Sequence, residues 1–473
     1  MTETNQLLNF FGVTIQDLQK LISIALEDGG DYADLYFEYS TANELSLRDG
    51  EVNAAGSHID YGMGIRVLSG DQTGYAYTEI TTMPEMIRAA KVAAKIAEAG
   101  KTTKIDTVNV TELKFNNVYK AKKEWKDYSV SDKIPYLQKM NDKIFALDNR
   151  VVKVMGRISD SATDVLFFNS LGVLAADSRP MSSVIATCIM EENGKTENSS
   201  SSRSFRMGFE MLSDDLIDEI AKEAVERASF LFGAIRPEGG EMPVVMGAGG
   251  SGILLHEAIG HAFEADFNRL NTSIFADKLG KRICSKKISV IDDGTIEGNR
   301  GSVNFDDEGV LGQKTYMVRD GILTSYLHDR ISASYYKTAP TGNGRRESFR
   351  YMPLPRMRAT YMESGDCKEE ELIKSVKKGV YVDNFSNGQV QIGAGDFTFY
   401  VKSGYLIENG KLTQPIKDIN IIGNGPEALA SISAVADNNR IDNGTWTCGK
   451  EQYCPVSCGM PSVLVDKLTV GGI

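Results

Sequence analysis

Hydrophobic positions along this chain change period several times, and each change marks an expected element. Over residues 7–28 the apolar positions Leu8, Phe11, Ile15, Leu18, Leu21, Ile22 and Ile24 recur at helical spacing, interrupted around Gly12. After Gly30 the pattern becomes alternation, which predicts strands over 32–40, 44–48, 51–55, 62–68 and 74–78, with Asp49-Gly50 and Ser69-Gly70-Asp71 as hairpin turns. Residues 83–99 are alanine-rich and amphipathic, so a helix is expected there, and another over 131–145. Strands return between 151 and 190, whereas 194–204, rich in serine and asparagine, reads as a loop. A helix over 214–231 follows, with Leu216, Ile217, Ile220, Ala224, Ala228 and Leu231 on its buried side.

Residues 234–241, with Arg236-Pro237-Glu238-Gly239-Gly240, read as a linker. It divides the chain into an N-terminal domain of sheet and helices, 1–233, and a β-rich C-terminal domain, 241–473. The second domain reads as strands over 289–292, 315–326, 360–362, 379–383, 389–392, 397–404, 412–414 and 419–422, turning at Asp320-Gly321 and Asn409-Gly410. Helices are expected over 369–378 and 426–436. The fold class is α+β in two domains, and no internal repeat is visible.

Composition narrows the function classes. A chain of 473 residues with 42% hydrophobic positions buries substantial cores. Its formal net charge of −12 repels phosphate backbones and anionic membranes, so neither nucleic acid nor membrane is expected as a direct partner. The stretch Met1-Thr2-Glu3-Thr4-Asn5-Gln6 has no basic region ahead of an apolar run, and no apolar run approaches roughly 18 residues. A soluble, cytoplasmic protein is expected. Cys188, Cys284 and Cys367 are isolated and read as reduced thiols, while Cys448, Cys454 and Cys458 cluster at a spacing that matches no strong zinc pattern. Any one of the three thiols could complete a site across the fold.

The chemistry concentrates in residues 255–266, where two of only four histidines, His256 and His261, flank Glu257. Neutral imidazole is a good zinc ligand, and a carboxylate beside a metal-acidified water can take its proton. In the common His-Glu-x-x-His arrangement the imidazoles stand four residues apart on one helix face. Here they stand five apart, which in a straight α-helix opens roughly 140° between them. An i to i+5 π-bulge would return both to one side, and Gly260, a poor helix former, marks the place for it. A wide turn or helix break within 258–261 is therefore expected. The competing pattern Gly247-Ala248-Gly249-Gly250-Ser251-Gly252 resembles a dinucleotide fingerprint, but polar residues over 264–282 leave no second parallel strand for it. Those glycines read instead as a close approach into the histidine helix. His58 and His328 read as a surface or satisfied core histidine. Arg345, Arg346, Arg350, Arg356 and Arg358 form a basic cluster that reads equally as an internal ion-pair network or as a substrate-orienting group.

Together with Glu264-Ala265-Asp266-Phe267-Asn268-Arg269, the segment over 254–261 resembles the signature of the TldD/PmbA metalloprotease family, on the TldD side. Asp306-Asp307-Glu308-Gly309, Pro340-Thr341-Gly342-Asn343-Gly344-Arg345-Arg346-Glu347-Ser348, Cys448-Gly449-Lys450-Glu451 and Leu468-Thr469-Val470-Gly471-Gly472 agree, as do Asp34-Leu35-Tyr36-Phe37 and Gly62-Met63-Gly64-Ile65-Arg66. The resemblance implies a zinc peptidase acting on unfolded or flexible peptides, which are captured by strand addition. It assigns His256 and His261 as imidazole ligands of Zn2+, Glu257 as general base and Cys448 as third ligand. It also implies a homodimer or a pairing with a PmbA/TldE-type subunit. A noncatalytic peptide-binding or regulatory subunit is the alternative, and the intact set of four residues argues against it. Cys454 and Cys458 depart from the family pattern.

Overall fold

In the computed structural model, which describes residues 3–96 and 109–472, one set of long strands serves two separate hydrophobic cores. The first sheet runs Gln72–Thr78, Glu51–Ser69, Tyr32–Arg48, Val151–Asn169, Val173–Glu192, antiparallel throughout, with Lys195–Phe205 on its outer edge and Thr111–Glu112 parallel to Val173–Glu192. At one end, Leu35, Phe37, Ile65, Val67, Leu166 and Phe168 meet Leu18, Leu21 and Ile22 of helix Ile15–Ala25 and Ala90 and Ala93 of helix Met83–Ile96. The part of that expected helix beyond Ile96 lies outside the described residues. At the other end, Leu45, Leu47, Val154, Ile158, Val184 and Ala186 meet Leu137, Met140 and Ile144 of helix Val130–Leu147 and Ile217, Ile220 and Ala224 of helix Asp214–Phe232.

This shared use of strands explains where the sequence pattern misled. The expected strands over 32–40 and 44–48 are one strand, as are those over 51–55 and 62–68. Between the cores the apolar alternation lapses but the ladder continues, stitched by polar cross-strand pairs: Ser40 Oγ to Thr163 Oγ1 at 2.9 Å and Asn43 Nδ2 donating to Asp160 Oδ1 at 3.0 Å. The serine-rich stretch expected as a loop is the strand Lys195–Phe205, paired along its length with Val173–Glu192. Asn193 and Gly194, both at positive φ, make the tight turn into it, and Ser199 and Ser201 are buried on its helix face, Ser201 donating to Glu223, while Ser204 is buried on the opposite face and donates to the Ser182 carbonyl. Serine is small enough to lie under a helix and has a hydroxyl to satisfy there.

From Gly240 onward the chain builds a second sheet in the order Lys411–Asn424, Asp396–Glu408, Lys378–Val390, Gly240–Met246, Val463–Gly472. Residues 419–422 pair back onto 469–472, so the sheet closes on itself. Val463–Gly472 was not expected as a strand. The helix expected over 426–436 is only Gly425–Ala430, because the chain then joins the outside of that sheet as Ile432–Val435. Asp320 and Gly321, both at positive φ, turn the hairpin Lys314–Arg319 and Ile322–Leu323 as Asp-Gly predicted. This hairpin belongs to a further sheet that also contains Val290–Asp293, Ala359–Met362, Ser457–Met460 and Arg440–Asp442. The histidine segment lies in the core between the two sheets.

Buried charge ties the two parts together. The Arg66 guanidinium, fully buried, donates Nε to Asp34 at 2.9 Å and Nη1 to Glu308 at 2.7 Å, and Arg179 Nη1 reaches Asp307 at 2.6 Å. The Arg346 guanidinium lies 4.2 Å over the Tyr36 ring, and its Nη2 donates to the Asp307 carbonyl. Of the arginine cluster, Arg345 and Arg358 are buried and bond backbone carbonyls, Arg345 those of Met357 and Pro455 and Arg358 that of Gly342, while the half-exposed Arg350 pairs with Asp60 and Glu79. Arg66→Met leaves buried Glu308 without its paired guanidinium and Asp34 with only the longer pair to Arg346 at 3.5 Å. It is expected to cost about 3–5 kcal/mol in urea unfolding, and a loss below about 1 kcal/mol would contradict this account.

Candidate metal centre

Strand Gly240–Met246 runs into a glycine turn over 247–252 whose residues let backbones touch. A Cβ on Gly252 would lie 2.3 Å from the Gly459 nitrogen, so the turn can seat directly on strand Ser457–Met460. The chain then makes a short α-helical stretch, Ile253–Leu255, a π-helical turn, His256–Gly260, and a 3₁₀ turn, His261–Phe263. The His261 N–H donates to the His256 carbonyl five residues back, the widened bond that the histidine spacing predicted. The rings consequently face each other, with centroids 5.1 Å apart and planes at 80°. Gly260 has a second reason to be glycine: a Cβ there would lie 2.2 Å from the Met357 sulfur.

The third member comes from the other end of the chain. Strand Thr447–Lys450 reverses at Glu451, whose φ is 57°, into Gln452–Pro455, and carries Cys448 inward. Cys448 Sγ lies 3.3 Å from His261 Nε2, and one donor atom from each of His256, His261 and Cys448 falls within 4.8 Å of the others, all three residues buried. Burial resists ionisation of the Cys448 thiol, but the charge and hydrogen bonds of His256 and His261 prevail and bring its pKa down to about 4.

Behind His261 stands a carboxylate the sequence reading did not single out. Glu264 Oε2 lies 3.0 Å from His261 Nδ1, and Lys450 Nζ lies 3.1 Å from the same oxygen while also binding Asp266 at 2.8 Å. Burial disfavours the Glu264 anion, yet Lys450 and His261 outweigh it and hold its pKa at about 2. Burial disfavours the imidazolium, but Glu264 and Cys448 outweigh it and hold the His261 pKa well above its ordinary value, so Nδ1–H is given to Glu264 and Nε2–H to the Cys448 sulfur. The only signals for these roles were positional: Glu264 follows His261 by three residues and Lys450 follows Cys448 by two.

Glu257 stands apart from the donor group. It is half-buried and lines a cleft of ≈ 230 Å³ with His256, Ser386, Asn387, Trp446, Thr447 and Cys458. Through Ser386 and Trp446 this cleft adjoins a larger, polar one of ≈ 800 Å³ walled by Lys195–Phe205, helix Asp214–Phe232 and strands Lys378–Val390 and Asp396–Glu408. Cys454 is not in the donor group; its sulfur lies 3.5 Å from Arg356 Nη1. His58 is exposed beside Asp60, and His328 is buried against Tyr326 and Tyr336, where burial depresses its pKa to about 4.

The donor chemistry suits zinc. Two imidazoles and a thiolate are borderline-soft ligands, and a tetrahedral zinc site places such atoms roughly 3.5 Å apart. The buried Nδ1 of His256 has no hydrogen-bond partner among the described residues.

A buried two-histidine, one-cysteine cluster beside a cleft that holds a carboxylate is a donor set of the kind that holds a metal ion. Family models agree in three consecutive parts: PmbA/TldA metallopeptidase domain 1 over 33–97, its central domain over 123–229 and its C-terminal domain over 239–472. The chain belongs to the PmbA/TldD metallopeptidase family. It is 39% identical to the metalloprotease TldD homolog of Haemophilus influenzae, covering 99% of this chain and 98% of that one. It is 30% identical to the zinc metalloprotease TldD homolog of Saccharolobus solfataricus, covering 96% and 99%. Among solved structures, TldE from Thermococcus kodakarensis superposes with a TM-score of 0.74 at 19% identity, over 96% of this chain and 100% of that one. A Thermotoga maritima protein described as a modulator of a DNA gyrase gives 0.77 at 22%, over 97% and 100%. No helix among the described residues is long and apolar enough to cross a membrane.

Gly260→Ala forces Met357 or the π-turn to move. A destabilisation of about 1–3 kcal/mol in chemical denaturation is expected, and an unchanged midpoint would show that the core yields freely there.

Proposed function

We propose that the protein is a zinc-dependent peptidase that hydrolyses unfolded or flexible peptides, with His256, His261 and Cys448 as ligands of Zn2+ and Glu257 as general base. The observation that carries this reading is the convergence of those three side chains from opposite ends of the C-terminal region, next to a carboxylate open to a cleft. The family membership and the names of the relatives support it. Zinc, when bound, acidifies water to a pKa near about 7 and polarises a carbonyl. Glu257 takes the proton of the attacking water and passes it to the departing amine, so its carboxylate must face the cleft and not the ligand set. Glu264 and Lys450 hold the His261 ring in one tautomer and orientation. The larger cleft offers an extended backbone room to lie along the free edge of Lys195–Phe205. The similarity to a TldE supports pairing with a PmbA/TldE-type subunit or with a second copy.

Metal analysis of protein purified without chelator, followed by digestion of an unstructured peptide, tests the assignment. Zinc and chelator-sensitive cleavage are expected together. Glu257→Gln should keep its zinc and lose turnover by roughly 10²–10⁴-fold, and undiminished cleavage would remove Glu257 from its role. Cys448→Ser should lose the metal. Glu264→Gln should weaken zinc binding by about 10–100-fold in competition with a chromogenic chelator, and unchanged affinity would show that Glu264 does not act through His261.

A further inference from the structure

Cys454 is buried, lies outside the donor group and has no part in the chemistry above, yet its position in the fold is specific. In the ladder between Thr447–Lys450 and Gln452–Pro455 it stands directly opposite Cys448. Directly opposed residues of antiparallel strands project from the same face with Cα atoms about 4.5–5.5 Å apart. Disulfides span Cα separations of about 4.4–6.8 Å, so the ladder holds this pair at bridging distance without moving the backbone. One guanidinium joins the two residues from behind: Arg356 Nη1 lies 3.5 Å from Cys454 Sγ and Nη2 donates to the Cys448 carbonyl at 2.8 Å. No other cysteine is placed this way among the described residues. Cys458 is in register with Thr360 and Asp442, Cys188 with Val154 and Ser199, and Cys367 with Ala436, while Cys284 lies on no strand.

We propose that Cys448 and Cys454 form a thiol–disulfide modification site at which a peroxide-class oxidant switches off metal binding. The Cys448 sulfur attacks the peroxide, the O–O bond breaks, and a sulfenic acid and one water result. The Cys454 sulfur then displaces the sulfenic oxygen as a second water, forming the S–S bond. Two thiols are oxidised, hydrogen peroxide is reduced, and both thiol protons leave in water. The bridge itself follows from the ladder. Its consequence for metal rests on the proposal that Cys448 is a ligand, since a disulfide sulfur no longer supplies a thiolate.

The test uses the full-length chain, stripped of metal by a chelator, treated with hydrogen peroxide and mapped by non-reducing peptide mass spectrometry. A Cys448–Cys454 cross-link is expected, with free thiols falling from six per chain to four, the two lost being this pair. Zinc affinity should fall on the order of 100-fold or more and return with dithiothreitol. Cys454→Ser should lose zinc binding without recovery, because Cys448 without its resolving partner proceeds to sulfinic acid. The proposal is overturned if wild-type Cys448 is recovered as sulfinic acid or joined to another cysteine, or if Cys454→Ser recovers as fully as the wild type. A cross-link that forms while zinc affinity stays unchanged would instead overturn the ligand role of Cys448 and leave the disulfide standing.

Discussion

The hydrogen bond from the His261 N–H to the carbonyl five residues back is the constraint on which the centre depends. With the bond closed at four residues, the two imidazoles would diverge by roughly 140° around the helix. Closing it at five inserts one residue's worth of backbone and brings the rings to a centroid separation of 5.1 Å. A π-turn is a costly way to run a helix, and the surroundings over-determine it. Met357 fills the volume beside Gly260, and the 3₁₀ turn that follows ends the helix before regular geometry can reassert itself.

Electrostatics complete what the backbone begins. Three buried donors would be an unfavourable assembly if each were neutral and unpaired. Here the charges alternate outward from Cys448 through His261, Glu264 and Lys450 to Asp266, with Arg356 flanking the carboxylate at 3.9 Å. Each member stabilises the ionised or oriented form of its neighbour, so the thiolate and the orientation of the imidazole ring are held by the protein itself. Two of the supports, Glu264 and Lys450, are carried by the same short segments as His261 and Cys448. Shifting either segment therefore moves donor and support together.

Much of this was legible in the sequence. The unusual histidine spacing, with a glycine in the gap, is a local geometric statement, and local geometry obeyed it. Alternation located most of the strands of the first sheet where a core lies against them, and Asp320-Gly321 set its hairpin, but Val463–Gly472 was missed although its apolar residues lie in the core. What could not be read was non-local. The strand Lys195–Phe205 hides because its helix-facing residues include small buried serines, Ser199 and Ser201, in place of hydrophobes. The merging of 32–40 with 44–48 depends on partners more than a hundred residues away. Among Cys448, Cys454 and Cys458 the spacing was silent, and the family resemblance alone separated them. Glu264 looked like any acidic residue after a helix until His261 and Lys450 were found on either side of it.

The least local feature is the dependence of the centre on the first sheet. Ser204, at the end of the serine-rich strand, donates its N–H to the Asn443 carbonyl at 2.7 Å. Arg300 then bridges the same strand to the cysteine segment, giving Nη1 to Ser204 Oγ at 2.6 Å and Nε to the Trp446 carbonyl at 2.9 Å. Burial and two neighbouring arginines lower the Arg300 pKa to about 10, so its charge survives at neutral pH and both bonds remain charge-assisted. Trp446 and Thr447, immediately before Cys448, line the smaller cleft beside Glu257. The strand that walls the outer cleft therefore also anchors the approach to Cys448. Three hydrogen bonds, one from Ser204 to Asn443 and two through Arg300, thus join the wall of the outer cleft to the segment that carries Cys448.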